Sequence, residues 1–154
     1  MWYILQHLYH FLIANSRHGT HSPFVYNLAD KVIYNPVFKS PFYVEFPEDF
    51  KPKYYTLLKN ILSFWEVEKL SSDLSDQQAA AFWVDSKNEY KTEKLLDLVE
   101  QGKILIVHEP YRKNQKKLWK QLIVDPRVIV SINLFHFGII LNRKGQRKED
   151  FLLR

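Results

Sequence analysis

Up to residue 65 the apolar positions recur at three- and four-residue intervals; from residue 78 onward that helical period alternates with short continuous apolar runs. In residues 1–15, Ile4, Leu5, Leu8, Phe11 and Leu12 share one helical stripe, which Gln6 and His10 keep from closing around the helix. The stripe predicts a short helix docked through its apolar side. Ser22-Pro23 supplies an N-cap residue followed by the proline favoured in a first helical turn, so a second helix is expected over residues 23–34, burying Phe24, Val25, Leu28, Ala29, Val32 and Ile33. Prolines at 36, 41, 47 and 52 exclude a long helix there and demand an extended, irregular segment, the region expected to move most. A third helix over residues 53–65 would turn Tyr54, Leu57, Leu58, Ile61, Leu62 and Trp65 inward.

Beyond the turn-rich break Ser71-Ser-Asp-Leu-Ser-Asp76 the pattern changes. Ala80-Ala-Phe-Trp-Val84 and Lys103-Ile-Leu-Ile-Val107 read as buried strands, separated by an amphipathic helix over 91–101 that Gly102 stops. A basic helix over 114–123 turns Leu118, Trp119 and Leu122 inward. The β-branched runs 127–134 and 138–142 follow, and Phe151-Leu-Leu-Arg154 is expected to add a last strand. Strands alternating with helices of about three turns imply parallel pairs joined by crossovers. The two closing runs are too close for a crossover and should form an antiparallel hairpin. The expected architecture is therefore α/β, one domain over 1–154, with a helical N-terminal region (1–65, including the Pro-rich segment 35–52) and an α/β part over 78–154 that holds half of a doubly wound sheet.

Composition narrows the chemistry. The chain has 154 residues, no cysteine and four glycines, Gly19, Gly102, Gly138 and Gly145. Disulfides, thiolate zinc sites and cysteine nucleophiles are thereby excluded, and a reducing, cytoplasmic compartment is the expectation. Neither a G-x-G-x-x-G nor a P-loop phosphate cradle can be assembled. The opening segment has no basic leader and no A-x-A-like cleavage site, and it is too short to span a bilayer, so neither a signal nor a transmembrane segment is expected. Trp2, Tyr3 and Tyr9 would suit a membrane surface, but that helix carries no Lys or Arg to meet headgroups. Net charge is +5, yet residues 1–100 carry 10 Lys/Arg against 13 Asp/Glu, while residues 101–154 carry 12 against 4. The basic character belongs to the C-terminal third. Lys113, Lys116, Lys117 and Lys120 would share one exposed helix face, with Arg112 beside them, and such a face holds a polyanion by counterion release or simply keeps the helix solvated. Most of the aromatic residues fall at core spacing, which weakens a stacking platform for single-stranded nucleic acid.

Arg17-His-Gly-Thr-His-Ser-Pro-Phe-Val-Tyr26, after a short aromatic helix, resembles the N-terminal signature of a group of class I S-adenosylmethionine-dependent methyltransferases of Bacteroidetes-type bacteria. Phe82-Trp-Val-Asp85 with Tyr90 resembles that family's fourth strand and its acidic end. Residues 103–107 resemble its fifth strand, Trp119 a tryptophan of the following helix, and residues 128–141 with 146–154 its closing hairpin and F-x-L-R ending. The resemblance implies a partial Rossmann-like, class I methyltransferase-like sheet. Only residues 66–78 stand where the family has its first strand, glycine-rich turn and next two strand-helix units, and both the turn and the acidic ribose anchor are missing. Ser86-Lys87-Asn88 replaces the usual Gly-Asn-His, and Val107-His108-Glu109 replaces an acidic pair.

The chain therefore reads as a shortened relative without a cofactor pocket: a non-catalytic binding or assembly partner of an unidentified protein, with no cofactor. The alternatives are an active methyltransferase that binds S-adenosylmethionine in an unusual or shared site, and a polyanion-binding or nucleic-acid-binding module using the basic third. A homodimer is expected on the ground that the fourth-strand edge is left open. Asp85, His108 and Glu109, at two neighbouring strand ends, are the candidates for acid–base work. His18 and His21 flank Gly19 in a turn with no third ligand, and fit a structural turn capped by Ser22 better than a metal site.

Overall fold

The computed structural model describes residues 2–15, 20–48 and 50–153. Helix α1 spans Trp2–Ile13; α2 spans Pro23–Leu28 and runs on as a π-helical turn over Ala29–Ile33; α3 spans Tyr55–Phe64, α4 Thr92–Glu100 and α5 Lys113–Val124. The strands are β1 Leu70–Ser71, β2 Ala81–Val84, β3 Ile104–His108, β4 Val130–Asn133, β5 Phe137–Leu141 and β6 Glu149–Leu152. They form one mixed sheet in the order β1-β2-β3-β5-β4-β6. β1, β2 and β3 run parallel, β5 is antiparallel to both β3 and β4, and β6 returns parallel to β4.

The alternation of side chains across the pleat builds two cores. Trp83, Ile106, Ile139, Ile132 and Phe151 meet Val25, Leu28, Val32, Leu58, Ile61 and Leu62 of α2, its π-helical turn and α3. Phe82, Val84, Leu105, Val107 and Ile140 meet Leu95, Val99, Trp119 and Leu122 of α4 and α5. The result is an α/β protein with helices on both faces of a sheet. Ser22 caps α2 by accepting from the Val25 N–H at 3.5 Å, and Gly102 ends α4 at φ +85°, as the pattern required. The closing hairpin is β4–β5.

Three expectations are corrected. The stripe Ile4, Leu5, Leu8, Phe11, Leu12 does not face the core; all five side chains are exposed, Ile4 by 71% and Leu12 by 70%. Both sheet faces are already covered by the other helices, so α1 lies at one end of the sheet and docks through its opposite side. His10, 2% exposed, is its buried residue. The interval 66–78 is not strandless: Leu70 and Ser71 pair with Ala81 and Phe82, and Glu45 bridges to Lys69 on the outer side. β1 thus pairs with the first half of the β2 edge, Ala81 and Phe82, and β2 is not the outermost strand that the homodimer expectation assumed. Tyr54 is exposed rather than inward, since the chain enters α3 through a left-handed Tyr54 at φ +68°.

Candidate functional site

Because β1, β2, β3, β4 and β6 all run in one direction, their carboxyl ends share one end of the sheet, and β5 starts there too, Phe137 lying opposite His108. This is the end at which open α/β sheets bind ligands. Over β1–β3 the Pro-rich segment folds back as a strap. Pro47, Glu48, Phe50, Lys51 and Pro52 close a cavity of about 300 Å³ whose floor is Ser72, Trp83, Asp85, Lys87 and His108. Phe50 stands edge-on to Trp83 at 4.8 Å, and the His108 ring lies against the same indole at 4.9 Å.

Two of the sequence candidates, Asp85 and His108, line this cavity. Asp85 Oδ1 accepts the Lys87 backbone N–H at 3.0 Å, which fixes the turn after β2. Burial holds the His108 imidazole below its usual range, against the opposing pull of Glu109 and Asp85. Glu109, in the left-handed region at φ +45°, sends Oε2 to Arg112 Nε at 2.7 Å and lies 3.9 Å from His108 Nε2, too far for a hydrogen bond. Its Oε1 accepts from the Tyr3 hydroxyl at 3.2 Å. Burial, reinforced by that carboxylate, pushes the Tyr3 phenol up to about 12. The carboxylate is therefore engaged in fastening α1 and α5 to the strand end.

Sequence reasoning missed a second cluster beside the first. Phe135, in the β4–β5 turn at φ +69°, is surrounded by the rings of Tyr3, His7, His10, Tyr111 and His136 at 4.5–5.4 Å. His10 donates from Nε2 to the Leu153 carbonyl at 2.8 Å and pairs through Nδ1 with the Tyr111 hydroxyl at 3.0 Å, so the acceptor carbonyl sets its neutral tautomer. A cavity of about 230 Å³ opens between α1, Tyr54, Leu57 and this turn, lined by His7, His10 and His136. Burial first, then Lys53, brings His136 down to about 4, and its shielded Nε2 has no hydrogen-bond partner. The signal in the sequence was Phe135-His-Phe137 at a strand end, but nothing there announces that α1 would land on it.

Lys113, Lys117 and Lys120 are exposed on α5 and Lys116 is half-buried, so the basic face exists as a surface. His21 is exposed; His18 and Gly19 lie outside the described residues. Among the described residues no group of three or more His, Asp or Glu is arranged to hold a metal ion, and no helix is long and apolar enough to cross a membrane. The fold and this end define an α/β protein with a mixed sheet and a strapped cleft at its carboxyl edge. Comparison with protein-family models, curated proteins and solved structures found no match to this chain.

Proposed function

We propose that this chain is a non-catalytic, methyltransferase-like protein that acts as a binding or assembly partner through the carboxyl edge of its sheet. The observation that carries the reading is the turn after β1. Where the resemblance calls for a glycine-rich turn open to a cofactor, residues 71–75 close on themselves: Ser71 Oγ accepts the Asp73 N–H at 3.1 Å, and Asp73 Oδ1 takes the Ser75 N–H at 2.8 Å and the Ser75 hydroxyl at 2.6 Å. The Asp73 and Ser75 N–H groups and the Asp73 carboxylate are used inside the turn, and no glycine opens it, so these residues do not fit S-adenosylmethionine. Glu109 is engaged by Arg112 and Tyr3, and Asp85 Oδ1 by its own turn, so the two strand-end carboxylates are each occupied by the protein's own groups.

Titration calorimetry of the full chain with S-adenosylmethionine and with S-adenosylhomocysteine tests the reading. No saturable heat is expected with either. Micromolar binding would overturn the proposal and favour an active methyltransferase with an unusual site.

A further inference from the structure

Helix α1 contains no Asp, Glu, Lys or Arg, and its outward side is almost wholly apolar. Trp2, Ile4, Leu5, Leu8, Tyr9, Phe11, Leu12 and Ile13 are each 45–71% exposed. Together they present on the order of 1,000 Å², against the roughly 300–600 Å² of the largest apolar patch on an ordinary monomer. The inward side, Tyr3, Gln6 and His10, is the more polar one and is already used by Glu109, Tyr111, Leu153 and Phe135. The helix is therefore mounted with its apolar stripe toward whatever lies outside.

Beside it stands the start of α5. A groove of about 620 Å³ is lined by Trp2, Tyr3 and Gln6 on one wall and by Tyr111, Arg112, Lys113 and Lys116 on the other. The Arg112 guanidinium sits 6.0 Å from the centre of the Tyr3 ring. Lys116 continues with Lys120 along a neighbouring groove, where Asp150 is the acidic residue and is hydrogen-bonded to Ser131. Glu109 is answered by Arg112. The cations next to α1 thus outnumber the carboxylates, and α1 brings none.

We propose that α1 and the adjoining basic edge of α5 form a docking surface for an anionic lipid bilayer, with the α1 stripe entering the headgroup boundary and Lys113, Lys116 and Lys120 meeting lipid phosphates. An interfacial helix needs apolar area plus cations near the surface, with Trp and Tyr at the headgroup level. In most such helices both come from one segment; here the cations come from a helix a hundred residues away. Charge decides between this occupant and a second copy of the chain. Two α1 helices pressed together would bring Lys113 and Lys116 of each copy to a helix with no acidic residue to receive them, whereas a bilayer of anionic lipid neutralises them. This inference does not depend on the absence of a cofactor site.

The test is co-sedimentation of the full chain with vesicles of phosphatidylcholine alone and of phosphatidylcholine and phosphatidylserine at about 7:3. Binding is expected to be tenfold or more stronger to the anionic vesicles, to weaken with salt, and to shift Trp2 emission to the blue. Leu8→Ser with Leu12→Ser should abolish it, and Lys113→Gln with Lys116→Gln and Lys120→Gln should remove the anionic preference; circular dichroism checks that each variant is folded, as their exposed positions predict. Three results would overturn the proposal: no sedimentation with either vesicle; equal binding by the Leu8→Ser, Leu12→Ser variant; or a wild-type dimer that the same variant dissolves while vesicles fail to bind. Retention on RNA at about 150 mM salt, unchanged by the leucine substitutions and without vesicle binding, would equally reject it in favour of a nucleic-acid surface.

Discussion

Trp119 fills the space that Gly138 leaves on the face of β5. A Cβ at residue 138 would overlap ring carbons Cζ3 and Cη2 of Trp119 and stand 3.1 Å from Cε3. Gly138 sits between Val107 of β3 and Asn133 of β4, so this is the place where α5 presses on the middle of the sheet. The glycine is required by side-chain crowding rather than by its backbone angles.

Gly138→Ala should accordingly destabilise the protein by about 1–3 kcal/mol through overpacking. Trp119→Leu in the same chain should recover part of that loss, giving a favourable coupling in a double-mutant cycle measured by urea unfolding. Additive effects of the two substitutions would show that the indole does not occupy this space in solution.

Stability should fall on mild acidification. His10, His108 and His136 are all held below the usual 6.5, with burial the first cause in each, and His136 reaches about 4. The unfolded chain takes up protons near 6.5 while the folded chain resists, so the contribution is complete above 6.5 and is lost as pH drops from there toward about 4. Urea midpoints taken between pH 7.5 and 4.5 should decline across that window, and His136→Gln should flatten the decline. A wild-type profile without slope from 7 to 5 would reject the assignment.

Much of the fold was legible because its elements carry their own period. The runs 80–84 and 103–107 became β2 and β3, the amphipathic stretch before Gly102 became α4, and Trp119 and Leu122 turned inward on α5. β1 was not legible: two residues show no periodicity, and Leu70 and Ser71 are extended because Ala81, Phe82 and Glu45 pair with their segment. Helix α1 misled for a different reason. Its stripe has the right spacing for a core face, but spacing cannot report whether a sheet face is still free. In the candidate site, Asp85 and His108 could be placed from strand ends alone, whereas Phe50, Lys51 and the Phe135 cluster are brought in by chain segments 30 to 130 residues distant.

The strap should respond to loss of Phe50. Its ring covers Trp83 at 4.8 Å and also meets Phe46 at 5.2 Å, yet it is only half-buried, so Phe50→Ala should cost about 1–3 kcal/mol, less than a fully buried phenylalanine. Measured in a Trp2→Phe background, acrylamide quenching of tryptophan emission should increase as the cleft opens to solvent. Unchanged quenching would mean that the strap does not need this ring to stay closed.

Phe135 combines two opposed demands, and they can be separated. The ring is 2% exposed and holds α1 through Tyr3, His7 and His10, while the backbone at φ +69° lies where a residue with a Cβ is disfavoured. Asn133 Oδ1 and the Leu134–Phe137 pair hold the turn in that shape by accepting the Phe135 N–H at 2.9 Å and bonding backbone to backbone at 3.0 Å. Phe135→Ala removes the ring and keeps the backbone penalty, so a loss of about 3–5 kcal/mol is expected. Phe135→Gly removes the same ring but relieves the penalty, and should be more stable than the alanine variant by about 1 kcal/mol, the reverse of the usual order for a residue in regular structure. Both variants should release α1, read as faster proteolytic cleavage within residues 2–13 while the sheet core stays resistant. An alanine variant more stable than the glycine variant would place residue 135 outside the left-handed region, and α1 protected as in the wild type would remove the ring from its docking.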